Sequence, residues 1–196
     1  MFDNKDWKKY LIPLIVTVIS IYALFLRFDD LGRRELWGDE LNQLSIMDQG
    51  VLHLIKELPH HEANTYLNGD HFLIYPFFKI FSYNKWGLAI PHIFSTILGF
   101  YLLYLIGKRY FKTIWGYIIS FGVICFNASL IKHATEVRPY AVLPTLALAG
   151  LYFSGMLVNE ANLSPRKKFF IGAFYDGIQF FYYFYGQVNG LIVLLD

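Results

Sequence analysis

The residues best suited to chemistry fall in three short polar clusters. The first, Leu36-Trp37-Gly38-Asp39-Glu40, sets two adjacent carboxylates after a Trp-Gly corner, at the head of an amphipathic stretch. A carboxylate held beside a bilayer can accept a proton from an attacking hydroxyl, or ligate a divalent cation with a neighbouring carboxylate or histidine such as His71. The same pattern fits a plainly structural use, with Asp39 as an N-cap and Glu40 as a first-turn acid facing the helix dipole. The second cluster, Gly69-Asp70-His71, stands just before a short apolar segment. His71 can bind phosphate when protonated or a metal when neutral, or serve as an interfacial residue with a wet ring edge. The third cluster is Glu136-Val137-Arg138-Pro139-Tyr140. Proline suits the first helical turn, so free amides pointing outward, together with the Arg138 guanidinium, would make a phosphate site. Alternatively, Arg138 pairs with Glu136 or snorkels to headgroups, as Lys132 and His133 are expected to do. Asp176, inside an apolar run, is either a polar-cavity residue or solvated near a membrane boundary.

These clusters must be carried by elements unlike those of a soluble globule. Of the 196 residues, 56% are hydrophobic, 19% aromatic and only 16% charged, with a mean hydropathy of +0.39, which excludes a soluble enzyme of this size. Stretches free of charge predict membrane spans at Tyr10–Leu26, Trp86–Ile106, Thr113–Ile131 and Tyr140–Val158, each near the roughly 20 residues that a bilayer core needs. A fifth, Phe169–Leu195, contains Asp176 and a candidate break at Gly186. Between Arg27 and Lys85, the patterns Leu41/Leu44/Met47 and Val51/Leu54/Ile55/Leu58 predict amphipathic helices on the membrane surface. His71–Phe81 is too short to span and is expected to be interfacial or re-entrant. The expected fold is therefore all-α, a polytopic transmembrane helix bundle with outer juxtamembrane helices in its first loop. It is expected to form one domain over 1–196, with the outer loop at 27–85 carrying the acids.

Charge placement orients the bundle. Lys5, Lys8 and Lys9, then Lys108, Arg109 and Lys112, then Arg166, Lys167 and Lys168 flank alternate span ends, which predicts one cytoplasmic side and a cytoplasmic amino terminus. The region from Arg27 to Trp86 holds six basic residues against nine acids and is expected outside. The first span has no small-residue cleavage pattern after it and reads as a permanent anchor. Asn127-Ala128-Ser129 and Asn162-Leu163-Ser164 match the glycosylation pattern, but the first lies in a span and the second on the cytoplasmic side. The single Cys125 gives neither a disulfide framework nor a cysteine metal site. There is no nucleotide-binding glycine loop or repeat, and no nucleic-acid partner is expected. The end at Asp196, straight after an apolar run, suggests the front part of a longer protein.

The order of the clusters resembles a family. A first span, then Trp37-Gly38-Asp39-Glu40, a His-led apolar segment, Gly107-Lys108-Arg109-Tyr110-Phe111 and Glu136-Val137-Arg138-Pro139-Tyr140-Ala141 look like the amino-terminal part of GT-C-type glycosyltransferases. More narrowly, they look like the dolichyl-phosphate-mannose protein mannosyltransferase-like group. The resemblance implies an integral enzyme of the inner or plasma membrane. It would move a sugar from a polyprenyl-phosphate donor to a protein, lipid or polysaccharide acceptor on the extracytoplasmic face. It nominates Asp39 as the base with Glu40 beside it, and Arg138 with His71 for the donor phosphate. Asp70, Glu136 and Tyr140 would support them, and a divalent cation at Asp39, Glu40 and His71 is left open. Where the family often has His-Pro-Pro-Leu, this chain has His71-Phe72-Leu73-Ile74, and members are several hundred residues longer. The rival readings are a noncatalytic membrane scaffold or assembly subunit, and a transporter segment using Asp176.

Overall fold

The computed structural model describes residues 6–57, 69–138, 140, 142–159 and 164–186. Among them the chain is all-helical, in nine helices: α1 (Asp6–Arg33), α2 (Gly38–Asp48), α3 (Val51–Glu57), α4 (Gly69–Phe81), α5 (Lys85–Tyr110), α6 (Ile114–Cys125), α7 (Ala128–His133), α8 (Val142–Asn159) and α9 (Pro165–Gly186). Two segments are long and apolar enough to cross a membrane, Tyr10–Arg33 and Lys85–Tyr110. The 26 residues of α5 extend about 39 Å at 1.5 Å per residue, more than the hydrocarbon thickness of a bilayer.

The expected third span, Thr113–Ile131, is not one helix. Thr113 caps α6 by accepting from the Gly116 amide at 3.2 Å. The helix stops at Cys125, and Asn127 starts α7 by accepting from the Leu130 amide at 3.0 Å. A side chain that satisfies a helix's free amides sets a new start more strongly than apolar composition continues the old helix. The fourth expected span is α8, apolar but short. The fifth begins at Pro165 rather than Phe169, since proline at a first helical position gives up no hydrogen bond. The stretch beyond Gly186, the helix start expected at Pro139 and the Leu58 position of the second amphipathic pattern lie outside the described residues. The two amphipathic patterns form α2 and α3, and the His71–Phe81 segment forms α4.

Three packed layers hold the helices together. Leu44, Met47, Leu54, Ile74, Phe78, Leu88 and Val137 join α2, α3, α4 and α5 to the connector before α8. Val16, Ala23, Phe100, Leu103, Phe121 and Cys125 pack α1, α5 and α6. Leu102, Ala149 and Ile178 join α5, α8 and α9. At the end of α1, the Lys85 ammonium donates to the carbonyls of Gly32 (3.3 Å) and Arg34, giving that helix a cationic C-terminal cap. Helices α5 and α8 run side by side in the same direction. Thr145 donates to the Ser95 carbonyl at 2.8 Å, while Gly155 sits against the Tyr110 hydroxyl. Helix α9 then turns back, with Phe153 and Phe174 edge to face at 4.9 Å. The basic residues Lys108, Arg109 and Arg166–Lys168 therefore gather at one end of the bundle. The clusters around Asp39 and Arg138 lie at the other.

Candidate functional site

The first and third sequence clusters meet at the end of α1. Helix α2 starts at Gly38, with Trp37 as its N-cap, so Asp39 is a first-turn residue and not the cap. Arg138 Nη2 lies 2.6 Å from Asp39 Oδ2 in a half-exposed ion pair. The same guanidinium lies over the Trp37 ring at 5.0 Å and donates to the Tyr140 hydroxyl at 3.1 Å. Arg138 thus chooses Asp39 over Glu136. Glu136 instead bonds His133 Nδ1 at 2.7 Å, and His133 also meets the Tyr140 ring edge at 5.0 Å.

Glu40 is used differently. It is fully buried and accepts both Nη groups of Arg34, at 2.7 and 3.0 Å. It also accepts the amides of Trp37 at 3.1 Å and Val137 at 2.6 Å. Arg34 in turn donates to the Thr135 carbonyl. Two segments 97 residues apart are thereby tied through one carboxylate. With its oxygens so engaged, Glu40 positions the connector that carries Arg138, while Asp39 stays half-exposed. Arg34 and Thr135 are the partners that sequence reasoning missed; neither has a local spacing that announces it.

Asp70 and His71 belong to a second polar knot. Asp70 is fully buried, with Oδ1 at 2.8 Å from His92 Nε2. Its Oδ2 accepts from Gln43 Nε2 at 3.1 Å. Gln43 lies one turn beyond Glu40 on α2, so this knot fixes α4 and α5 against the helix that bears Asp39. His71 is buried in the first turn of α4. Asp39, Glu40 and His71 do not form a metal-holding group among the described residues. No group of three or more histidine, cysteine, aspartate or glutamate residues suited to a metal occurs among the described residues. The interior partner His92 had one signal in sequence, a polar ring inside an otherwise apolar span.

Arg27, counted in the sequence only as a loop charge, is 2% exposed. Its Nη1 donates to the carbonyls of Ala23 (2.8 Å) and Cys125 (3.1 Å), and its face lies over the Phe100 ring at 5.1 Å. It borders a pocket lined also by Thr96, Gly99, Tyr140 and Thr145. Gly99 is required there, since a Cβ would come within 2.7 Å of Thr145 Oγ1. Asp176 is exposed on α9, so it lines no interior path among the described helices.

Among the described residues, fold and site together define an all-helical chain with two candidate membrane-crossing helices and a carboxylate–guanidinium centre at one end of the bundle. Comparison with known protein families, with curated proteins and with solved structures finds no match.

Proposed function

We propose that the chain is part of a polytopic membrane glycosyltransferase that moves a sugar from a polyprenyl-phosphate donor to an acceptor hydroxyl on the extracytoplasmic face. The observation that carries this reading is the convergence of Asp39, Arg138 and Tyr140 from segments about a hundred residues apart in sequence. Two features support a bilayer setting. Exposed apolar side chains form stripes on α1 (Tyr10, Leu14, Val18, Ile21, Phe25) and on α6 (Trp115, Ile119, Val123), at the three- and four-residue spacing of a lipid-facing surface. The basic ends of α5 and α9 lie opposite the site, as a cytoplasmic face would.

In this scheme Asp39 Oδ1 takes the proton of the acceptor hydroxyl as its oxygen attacks the anomeric carbon. The bond from that carbon to the phosphate oxygen breaks, and the oxygen leaves with the electron pair. Negative charge grows on the phosphate at this moment, and a guanidinium beside it stabilises that charge. Arg138 is placed to orient Asp39 through Oδ2 and to share that charge. The test is transfer of radiolabelled sugar from polyprenyl phosphate in membranes containing the full-length protein. Transfer above that of control membranes is expected; its absence across the common lipid-linked hexoses and pentoses leaves the noncatalytic membrane subunit as the better reading.

A further inference from the structure

We propose that the pocket around Arg27 is the anion subsite that holds the phosphate of a membrane amphiphile, while the hydrocarbon chain lies in the groove between α1 and α5. The inference rests on the lipid-linked donor reading above and assigns the donor's headgroup and tail to residues.

The charge balance of the outer half points to Arg27. Arg33 pairs with Asp29 at 2.9 Å, Arg34 with Glu40 at 2.7 Å and Arg138 with Asp39 at 2.6 Å. Arg27 has no carboxylate within ion-pair distance among the described residues, although it is the most buried of the four. Its contacts are two carbonyls and an aromatic face, and its Nε has no hydrogen-bond partner there. A buried guanidinium without a counter-charge is a costly arrangement, and an incoming anion would relieve it. Its depth suits a lipid headgroup: six residues, about 9 Å of helix, separate it from the end of α1 at Arg33.

The pocket is mostly apolar, and Arg27 is its one cation among the described residues. The Tyr140 hydroxyl accepts from Arg138 and so keeps its own proton to donate. Tyr140 lines the same pocket as Arg27. Arginine's planar fork suits two phosphate oxygens. The pocket is small, about 50 Å³, and Phe100 is a wall both of it and of a larger groove of about 400 Å³. That groove is lined by Pro13, Thr17, Ile21 and Leu24 of α1 and by Ile97 and Tyr101 of α5. From Pro13 to Leu24 it follows α1 for about 16 Å and ends one turn short of Arg27. Ile21, Ile97 and Tyr101 are also exposed on the outer surface of the bundle, so an acyl or prenyl chain could enter from the side. Arg138, already committed to Asp39, is thereby left to the reacting end of the site.

The test measures binding rather than turnover. The full chain is placed in nanodiscs of zwitterionic phosphatidylcholine and titrated with a long-chain polyprenyl monophosphate carrying no sugar. Polyprenol, inorganic phosphate and oleate are run in parallel. Saturable binding of the polyprenyl phosphate is expected. Loss of a charge-assisted bond in Arg27→Met should weaken it about tenfold or more. Arg27→Lys, which keeps the charge but not the fork, should fall between the two. Ser20 also lines the groove, and Ser20→Trp, filling it, should weaken the long-chain ligand and not a short-chain prenyl phosphate. Removing an uncompensated buried charge should leave the Arg27→Met fold intact; if it does not, Arg27→Lys carries the comparison. Wild-type binding by the folded Arg27 variants overturns the inference. So does equal affinity for polyprenol or oleate, or for inorganic phosphate alone. If polyprenyl phosphate binds through Arg27 and no sugar is ever transferred, the subsite stands and the glycosyltransferase reading falls. If sugar is transferred at a rate indifferent to Arg27, the glycosyltransferase reading stands and the subsite falls.

Discussion

At the scale of residues, adjacent acids have been given opposite tasks. Asp39 and Glu40 differ by one position on α2, yet a helical step of about 100° turns one carboxylate to the mouth and the other into the core. The exposed Asp39–Arg138 pair contributes little to stability, on the order of 0–1 kcal/mol, because water screens it. On the proposed transferase reading, Asp39→Asn should therefore fold normally while turnover on a lipid-linked sugar falls roughly a hundredfold through loss of the base. A folded Asp39→Asn enzyme with wild-type turnover removes Asp39 from that role. Glu40→Gln should behave oppositely. It breaks a buried pair with Arg34 and weakens the hold on the Val137 amide, and it should lower unfolding stability by about 3–5 kcal/mol. Thermal denaturation of the two variants side by side separates an acid that reacts from an acid that positions.

At the scale of elements, the helix ends place the site. The break between α6 and α7 brings the Cys125 carbonyl to Arg27 and leads the chain into the Thr135–Arg138 connector. Asn127 holds that break, so Asn127→Ala should cost about 1 kcal/mol of stability through loss of the cap. It should also loosen the connector, seen as faster amide hydrogen exchange at Val137 and Arg138; unchanged exchange there would show that Glu40 alone holds the connector. Helix α2 ends at a tighter constraint. Gly50 has φ of 95°, and its amide closes onto the Met47 carbonyl at 3.0 Å, a left-handed C-terminal turn that side chains resist. Gly50→Ala should be destabilising by about 1 kcal/mol in denaturant unfolding. A neutral result would mean that the α2–α3 turn can adopt another geometry.

At the scale of the whole molecule, the two ends of the bundle differ in charge, and that asymmetry gives a topological prediction. With Lys108, Arg109 and Arg166–Lys168 at one end, the positive-inside tendency places Asp39, His71 and Arg138 outside. A membrane-impermeant thiol reagent applied to intact cells should modify Asp39→Cys and spare Lys167→Cys. The native Cys125 is buried and gives little background. The reverse labelling pattern would put the candidate site in the cytoplasm, away from any extracytoplasmic acceptor.

Much of this was legible in the chain itself because it depends on local order. The apolar runs that became α1 and α5, the amphipathic spacing that became α2 and α3, and the basic flanks are all properties of neighbouring residues, and they survive whatever the fold does with them. The same local order misled at Thr113–Ile131, where apolar composition suggested one span and a single capping asparagine divided it. The pairing of charges was beyond any local reading. Arg138 had Glu136 two residues away and took Asp39 instead; Glu40 found Arg34 and the Val137 amide; Asp70 found His92 and Gln43. For Arg138 the nearer acid, Glu136, is buried against His133, and the half-exposed Asp39 is the carboxylate that the guanidinium meets. For Glu40 and Asp70 the choice depends on which backbones approach closely enough to remove a charge from water. For the same reason Arg27 looked like an ordinary loop charge in the sequence, and only the packing of α1 against α5 and α6 made it a buried cation without a carboxylate partner among the described residues.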